Sequence, residues 1–136
     1  MLIKWSDELS VGVELIDKQH QEMFRRINRL LGALSEVRGT AELCRTVDFL
    51  TDYVHSHFET EEAYMTGNAY PGRQEHMQQH EYFRGEVAQL RARAEQEGPA
   101  EKLVVFAQEL LVDWFTRHIR GTDMAFGRFL KEKGIA

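Results

Sequence analysis

Five of the six histidines, with one glutamate and one aspartate, recur at spacings that can converge on metal ions: His20, His57, Glu61, His76, His80, His118 and Asp123. Residues i and i+4 of an α-helix share a face, about 6 Å apart along the axis, so two imidazoles so placed can ligate one ion. His76-x-x-x-His80 has this spacing. So has His57-x-x-x-Glu61, which offers an imidazole to one metal and a carboxylate able to bridge two. His118 and Asp123 are five apart with Gly121 between them, and a helix break at Gly121 would turn the Asp123 carboxylate back toward the same point. Either pair alone is weak evidence; all seven donors in one short chain point to a dinuclear metal site.

An imidazole-rich set with two carboxylates suits iron, zinc, nickel or copper. Seven donors exceed what one four-coordinate zinc takes, and carboxylates that can bridge favour two ions held close together. With Glu61 and Asp123 bridging and a solvent-derived oxo or hydroxo bridge added, the five imidazoles split three and two. One metal is then six-coordinate and the other five-coordinate, open to a small exogenous ligand. Two ferrous ions with both carboxylates and a hydroxo bridge carry a formal charge of about +1, tolerable among neutral histidines. The four glutamates and paired Glu-x-x-His motifs of carboxylate-rich di-iron oxidases are missing here. A histidine-rich shell donates less negative charge and favours reversible dioxygen binding over O–O cleavage.

These donors need elements that aim them inward. The first helix carries Ile16, His20, Met23, Ile27, Leu30, Leu34 and Val37 in one apolar seam before Gly39. The second, N-capped by Thr40, runs Leu43, Val47, Leu50, Val54, His57, Glu61 to Gly67. A Tyr70-Pro71-Gly72 loop precedes the third, with His76, His80, Phe83, Val87, Leu90 and Ala94 before Gly98-Pro99. The fourth gives Leu103, Ala107, Leu110, Leu111, Trp114 and His118, and a short amphipathic tail with Met124, Phe126, Phe129 and Leu130 packs back onto the bundle. Short loops predict antiparallel neighbours, so the fold class is all-α: an up-down-up-down four-helix bundle with an N-terminal arm and a short C-terminal helix, one domain over 1–136. Alternating direction then brings every donor to the same end of the bundle. His55, next to Val54, falls on the solvent face.

Composition narrows the function classes. The 17 basic and 22 acidic residues are intermixed and the formal charge is −5, so no basic stripe advertises nucleic acid. The start, Met1 to Glu8, has no signal-like apolar stretch, and no run approaches membrane-spanning length, an expectation of no membrane insertion. The lone Cys44 excludes an internal disulfide and fits a reducing cytoplasm. The apolar positions are used up by one bundle, which predicts a monomer.

The motifs Asp17-Lys18-Gln19-His20, His57-Phe58-Glu59-Thr60-Glu61-Glu62, Tyr70-Pro71, His76-Met77-Gln78-Gln79-His80 and His118 to Asp123, with the Trp5 arm, resemble the hemerythrins, specifically the single-domain bacteriohemerythrins. The resemblance implies two iron ions with an oxo or hydroxo bridge, His76, His80 and His118 on the coordinatively full iron, His20 and His57 on the open one, and Glu61 and Asp123 bridging. It implies that O2 binds the open iron reversibly as a hydroperoxide, in a pocket walled by Met23, Phe58, Trp114, Phe115 and Ile119. Many hemerythrins have Leu where Phe115 stands and Tyr where Phe126 stands. The function expected is oxygen carriage, storage or delivery, not enzymatic turnover, with an O2-consuming enzyme as recipient. The alternatives are an O2 or redox sensor acting through a partner, and a di-iron protein that reduces peroxide or nitric oxide or sequesters iron.

Overall fold

The computed structural model describes residues 2–37 and 39–135, so the two ends of the expected 1–136 domain lie outside the described residues. After a short 3-10 turn at Asp7–Leu9 come α1 (Glu14–Ser35), α2 (Thr40–Gly67) and α3 (Arg73–Glu97). A fourth rod is built without interruption from α4 (Glu101–Gln108), a π-helical segment Glu109–Trp114, α5 (Phe115–His118), a second π-helical segment Ile119–Asp123, and α6 (Met124–Glu132). No strand occurs among the described residues, and the expected four-helix bundle with an arm and a C-terminal helix is observed.

The seam of α1 forms as its spacing demands: Ile16, His20, Met23, Ile27, Leu30 and Leu34 are all buried. Val37 does not belong to it. The helix ends at Ser35, where Glu36 and Val37 donate their N–H groups back to Gly32 and Leu34. Val37 then takes a left-handed φ of 52° and stands 69% exposed, in a turn that a β-branched residue tolerates poorly. Thr40 is likewise the first residue of α2 and not its cap, a position that falls to Gly39. The α3 terminus follows the Gly98-Pro99 signal, with Gly98 at φ 66° and its N–H bonded to Ala94 O.

The fourth rod departs most from expectation. Gly121 does not break it; the chain passes through Gly121 in the second π-helical segment and continues into α6. One row of its buried positions recurs at a constant interval of four: Leu103, Ala107, Leu111, Phe115, Ile119 and Asp123. In a regular α-helix each such step drifts about 40° around the axis. Wider π turns, with i to i+5 bonding, cancel the drift and keep one stripe facing the core. The buried place expected for Trp114 accordingly goes to Phe115, and Trp114 is half-buried.

The N-terminal arm is tied down. Ile3 N–H donates to Asn28 Oδ1 and Asn28 Nδ2 donates back to Ile3 O, both at 2.8 Å. Trp5 meets Phe24 edge-on, and Asp17 accepts from the Val11 N–H at 2.9 Å and from the Ser10 hydroxyl. Leu9, Val11 and Val13 are buried, and the arm lies so close to α6 that a Cβ on Gly127 would fall 2.1 Å from the Val11 carbonyl oxygen. Phe126 and Leu130 of α6 are fully buried, as the amphipathic tail requires.

Candidate metal centre

All seven sequence-predicted donors meet at one end of the bundle. His20 comes from α1, His57 and Glu61 from α2, His76 and His80 from α3, His118 from the end of α5, and Asp123 from the end of the second π-helical segment. Each is at most 3% exposed. A π turn stacks residues five apart, so the interval His118 to Asp123 is the π repeat itself, and that is how a continuous helix delivers both to one point.

The donors form two groups. Glu61, His76, His80, His118 and Asp123 make one; His20, His57, Glu61 and Asp123 make the other, with donor atoms in each group within 4.8 Å of one another. Glu61 and Asp123 are common to both. Asp123 faces His20 through Oδ2 at 3.0 Å, and His76 and His118 through Oδ1 at 3.0 and 3.1 Å. Glu61 Oε1 lies 3.2 Å from His80 Nε2 and 3.6 Å from His57 Nε2. Ligands bound about 2.1 Å from a metal and separated by about 90° to 120° stand roughly 3.0 to 3.6 Å apart, so these separations are those of neighbouring ligands around an ion.

Electrostatics point the same way. All five Nε2 atoms and all four carboxylate oxygens are buried without a hydrogen-bond partner among the described residues. Such a concentration of orphaned polar atoms is costly unless a cation satisfies it. Burial penalises both carboxylates and Asp123 raises Glu61 further, yet the surrounding imidazoles hold Glu61 and Asp123 well below the usual carboxylate range. Burial pushes His57 down to about 4. Burial also opposes protonation of His76, but the Asp123 and Glu61 carboxylates that face it overcome this and raise that imidazole to about 9. His20 is raised against burial by Asp123. Two buried carboxylates and five inward-facing imidazoles thus form a donor set that fits a pair of divalent or trivalent cations.

Three residues that sequence reasoning did not assign orient the imidazoles from behind. Gln19 Oε1 accepts from His57 Nδ1 at 2.7 Å, and its amide donates to Thr60 Oγ1 at 3.4 Å. Glu62 Oε2 accepts from His80 Nδ1 at 2.8 Å and is itself paired with Arg84 at 3.1 Å. Gln79 Oε1 accepts from both His118 Nδ1 at 2.7 Å and Thr122 Oγ1 at 2.8 Å. An acceptor behind Nδ1 fixes the N–H there and leaves the Nε2 lone pair facing the centre. The only sequence signal was adjacency: Gln19, Glu62 and Gln79 each sit beside a donor. The Nδ1 atoms of His20 and His76 have no such partner among the described residues.

Around the centre, Phe58 stacks on His80 at 3.7 Å between ring centroids and lies 5.8 Å from His57. Phe115 meets His20 edge-on at 5.9 Å, and Met23 and Ile119 are fully buried. Trp114 stacks on the outer side chain His118, at 5.1 Å and 10°. Phe126 meets His76 edge-on at 5.6 Å and is in turn covered by Tyr70. His55 is exposed and takes no part. No helix of the described residues is long and apolar enough to cross a membrane.

A family model, the hemerythrin HHE cation binding domain, matches residues 11–130. A bacteriohemerythrin of Stenotrophomonas maltophilia is 32% identical over 96% of this chain and 82% of its own length. A bacteriohemerythrin of Pseudomonas aeruginosa is also 32% identical, over 90% of this chain and 77% of its own. Among solved structures, a wild-type hemerythrin superposes with a TM-score of 0.80 at 27% identity, covering 94% of this chain and 97% of that one.

Proposed function

Starting from a chain that belongs to the hemerythrin family, we propose a non-haem di-iron protein that binds O2 reversibly and serves oxygen carriage, storage or delivery in a bacterial cytoplasm. The observation that carries this reading is the division of the donors into a three-imidazole and a two-imidazole group that share both carboxylates. His76, His80 and His118 hold one iron, His20 and His57 the other, and Glu61 and Asp123 bridge. When bound, an iron pair with an oxo or hydroxo bridge would supply the electrons that reversible O2 binding needs. The protein acts as a monomer that hands O2 to a separate consuming enzyme and does not itself turn over.

The chain's own residues account for reversibility. Met23, Phe58, Phe115 and Ile119 are each fully buried apolar side chains at the level of the donors, and Trp114 closes the side of His118. Together they keep water and protons from the bound oxygen, which slows its loss as a reduced product. Gln19, Glu62 and Gln79 hold three imidazoles in the metal-binding tautomer.

The test is iron content per chain, with visible spectra of the anaerobically reduced protein, after adding O2 and after purging. Two irons and a visible band that rises with O2 and fades on purging are expected. Two irons without a reversible band would move the function to sensing or catalysis, and no iron, or zinc, would overturn the site chemistry. His118→Ala and Glu61→Ala should each lose iron and, because binding couples to folding, thermal stability; full iron retention in either removes that residue from the ligand set.

A further inference from the structure

One surface feature is not absorbed by oxygen binding. Tyr82 is 52% exposed, yet its ring sits 5.5 Å from that of Trp114. Trp114 is stacked nearly parallel on His118 at 5.1 Å, and His118 lies 5.2 and 5.3 Å from His76 and His80. Every step is within the distance at which aromatic rings interact. A continuous ladder of π systems therefore runs from solvent to the three-imidazole donor group. His118 is the donor reached directly from Trp114, whereas His20 is reached from Trp114 through Phe83 and Phe115 and His57 through Phe83 and Phe58. Core packing explains Trp114 against Phe83, which stack at 5.1 Å, but burial does not require Tyr82 outside it.

Over the outer end of the ladder lies a cleft of about 340 Å³ lined by Glu75, Gln78, Gln79, Tyr82 and Trp114. One wall is aromatic; the other carries amides and a carboxylate that can hydrogen-bond the edge of a heterocycle. It is a shallow, open cleft, with room for one ring system laid against its aromatic side. We propose that this cleft is an electron-entry site for a dihydroflavin, whose ring system packs against Tyr82 and Trp114 and which reduces the oxidised metal pair through His118. The proposal rests on the di-iron reading. Loss of bound oxygen as a reduced product leaves both irons ferric, and restoring them takes two electrons. A dihydroflavin supplies both, one at a time: two ferric ions become ferrous, the dihydroflavin becomes oxidised flavin, and its two protons pass to solvent at the open cleft.

Two measurements test it. Oxidised FMN titrated into the metal-free protein should acquire induced visible circular dichroism, and Tyr82→Ala should weaken its binding by about tenfold, the loss of one aromatic wall. In the diferric protein Tyr82→Ala should slow reduction by photoreduced FMN by a similar factor, leave reduction by dithionite unchanged, and keep iron content and the O2-dependent band; Tyr82→Phe, which keeps the ring, should restore the rate. Equal FMN binding in Tyr82→Ala and the parent, or equal reduction rates by reduced FMN, would overturn the electron-entry site. Failure of the parent to hold two irons or bind O2 would instead refute the function, and is read separately from FMN binding to the metal-free chain.

Discussion

Replacing Gln79 with alanine isolates the contribution of an orienting hydrogen bond to metal affinity. Gln79 Oε1 accepts from His118 Nδ1 and from Thr122 Oγ1, at 2.7 and 2.8 Å, and bridges α3 to the fourth rod. Without it, the Nδ1–H of a 3%-exposed imidazole loses its acceptor, a penalty of about 1–3 kcal/mol. His118 is also freed to rotate or change tautomer, which turns its Nε2 lone pair away from the metal centre. Loss of such a partner lowers metal affinity by about 10- to 100-fold. At about 1.4 kcal/mol per decade the two figures describe the same energy. Anaerobic competition between Gln79→Ala and a chromophoric ferrous chelator should therefore show one to two decades of weakening at one of two irons. Gln79→Glu, which restores an acceptor on the same stem, should recover most of it. Parent-like affinity in Gln79→Ala would refute the orienting role. So would a folded Gln79→Ala as deficient as His118→Ala, because that would make Gln79 a ligand in its own right.

Three further outcomes follow from the geometry. Gly127→Ala should destabilise the protein by about 2–3 kcal/mol in denaturant unfolding, because its Cβ would meet the Val11 carbonyl and lever the arm off α6; an unchanged midpoint would show that the arm does not pack there. Phe115→Ala should cost about 3–5 kcal/mol and shorten the lifetime of the oxygenated form by admitting water beside His20, read by the decay of the visible band; a longer lifetime would contradict the role of the apolar wall. The metal-free protein should lose stability as pH rises. His76 has a folded pKa raised from 6.5 to about 9, so its contribution, up to about 3 kcal/mol, is complete below pH 6.5 and disappears as pH passes 9. Metal displaces that proton, so metal affinity should strengthen over the same interval while the melting temperature of the loaded protein stays level; a metal-free melting temperature that rises between pH 7 and 9.5 would contradict the raised His76.

Much of this protein is written locally. The interval of four in His57-Glu61 and His76-His80 and the 4-3-4-3 seam of α1 are properties of single helices, and short loops suffice to bring alternate helix ends to one level. That is why the donor set and the bundle are legible in the sequence alone. The remainder depends on contacts between helices. Whether His118 and Asp123 converge by a break at Gly121 or by a π turn is decided by the need to keep Leu111, Phe115, Ile119 and Asp123 on one inward stripe, a demand that only the packed bundle makes. The same wide turns put Phe115 inside and leave Trp114 at the edge, which a single-helix seam assigns the other way round. Gln19, Glu62 and Gln79 reach their imidazoles across 38, 18 and 39 positions of chain, and no periodicity within one helix encodes such a pairing. Sequence determined which atoms can bind metal and which two carboxylates could bridge; tertiary structure decided which donors stand next to one another and which side chains hold the imidazoles still, because proximity and orientation are relations between helices and not properties of any one of them.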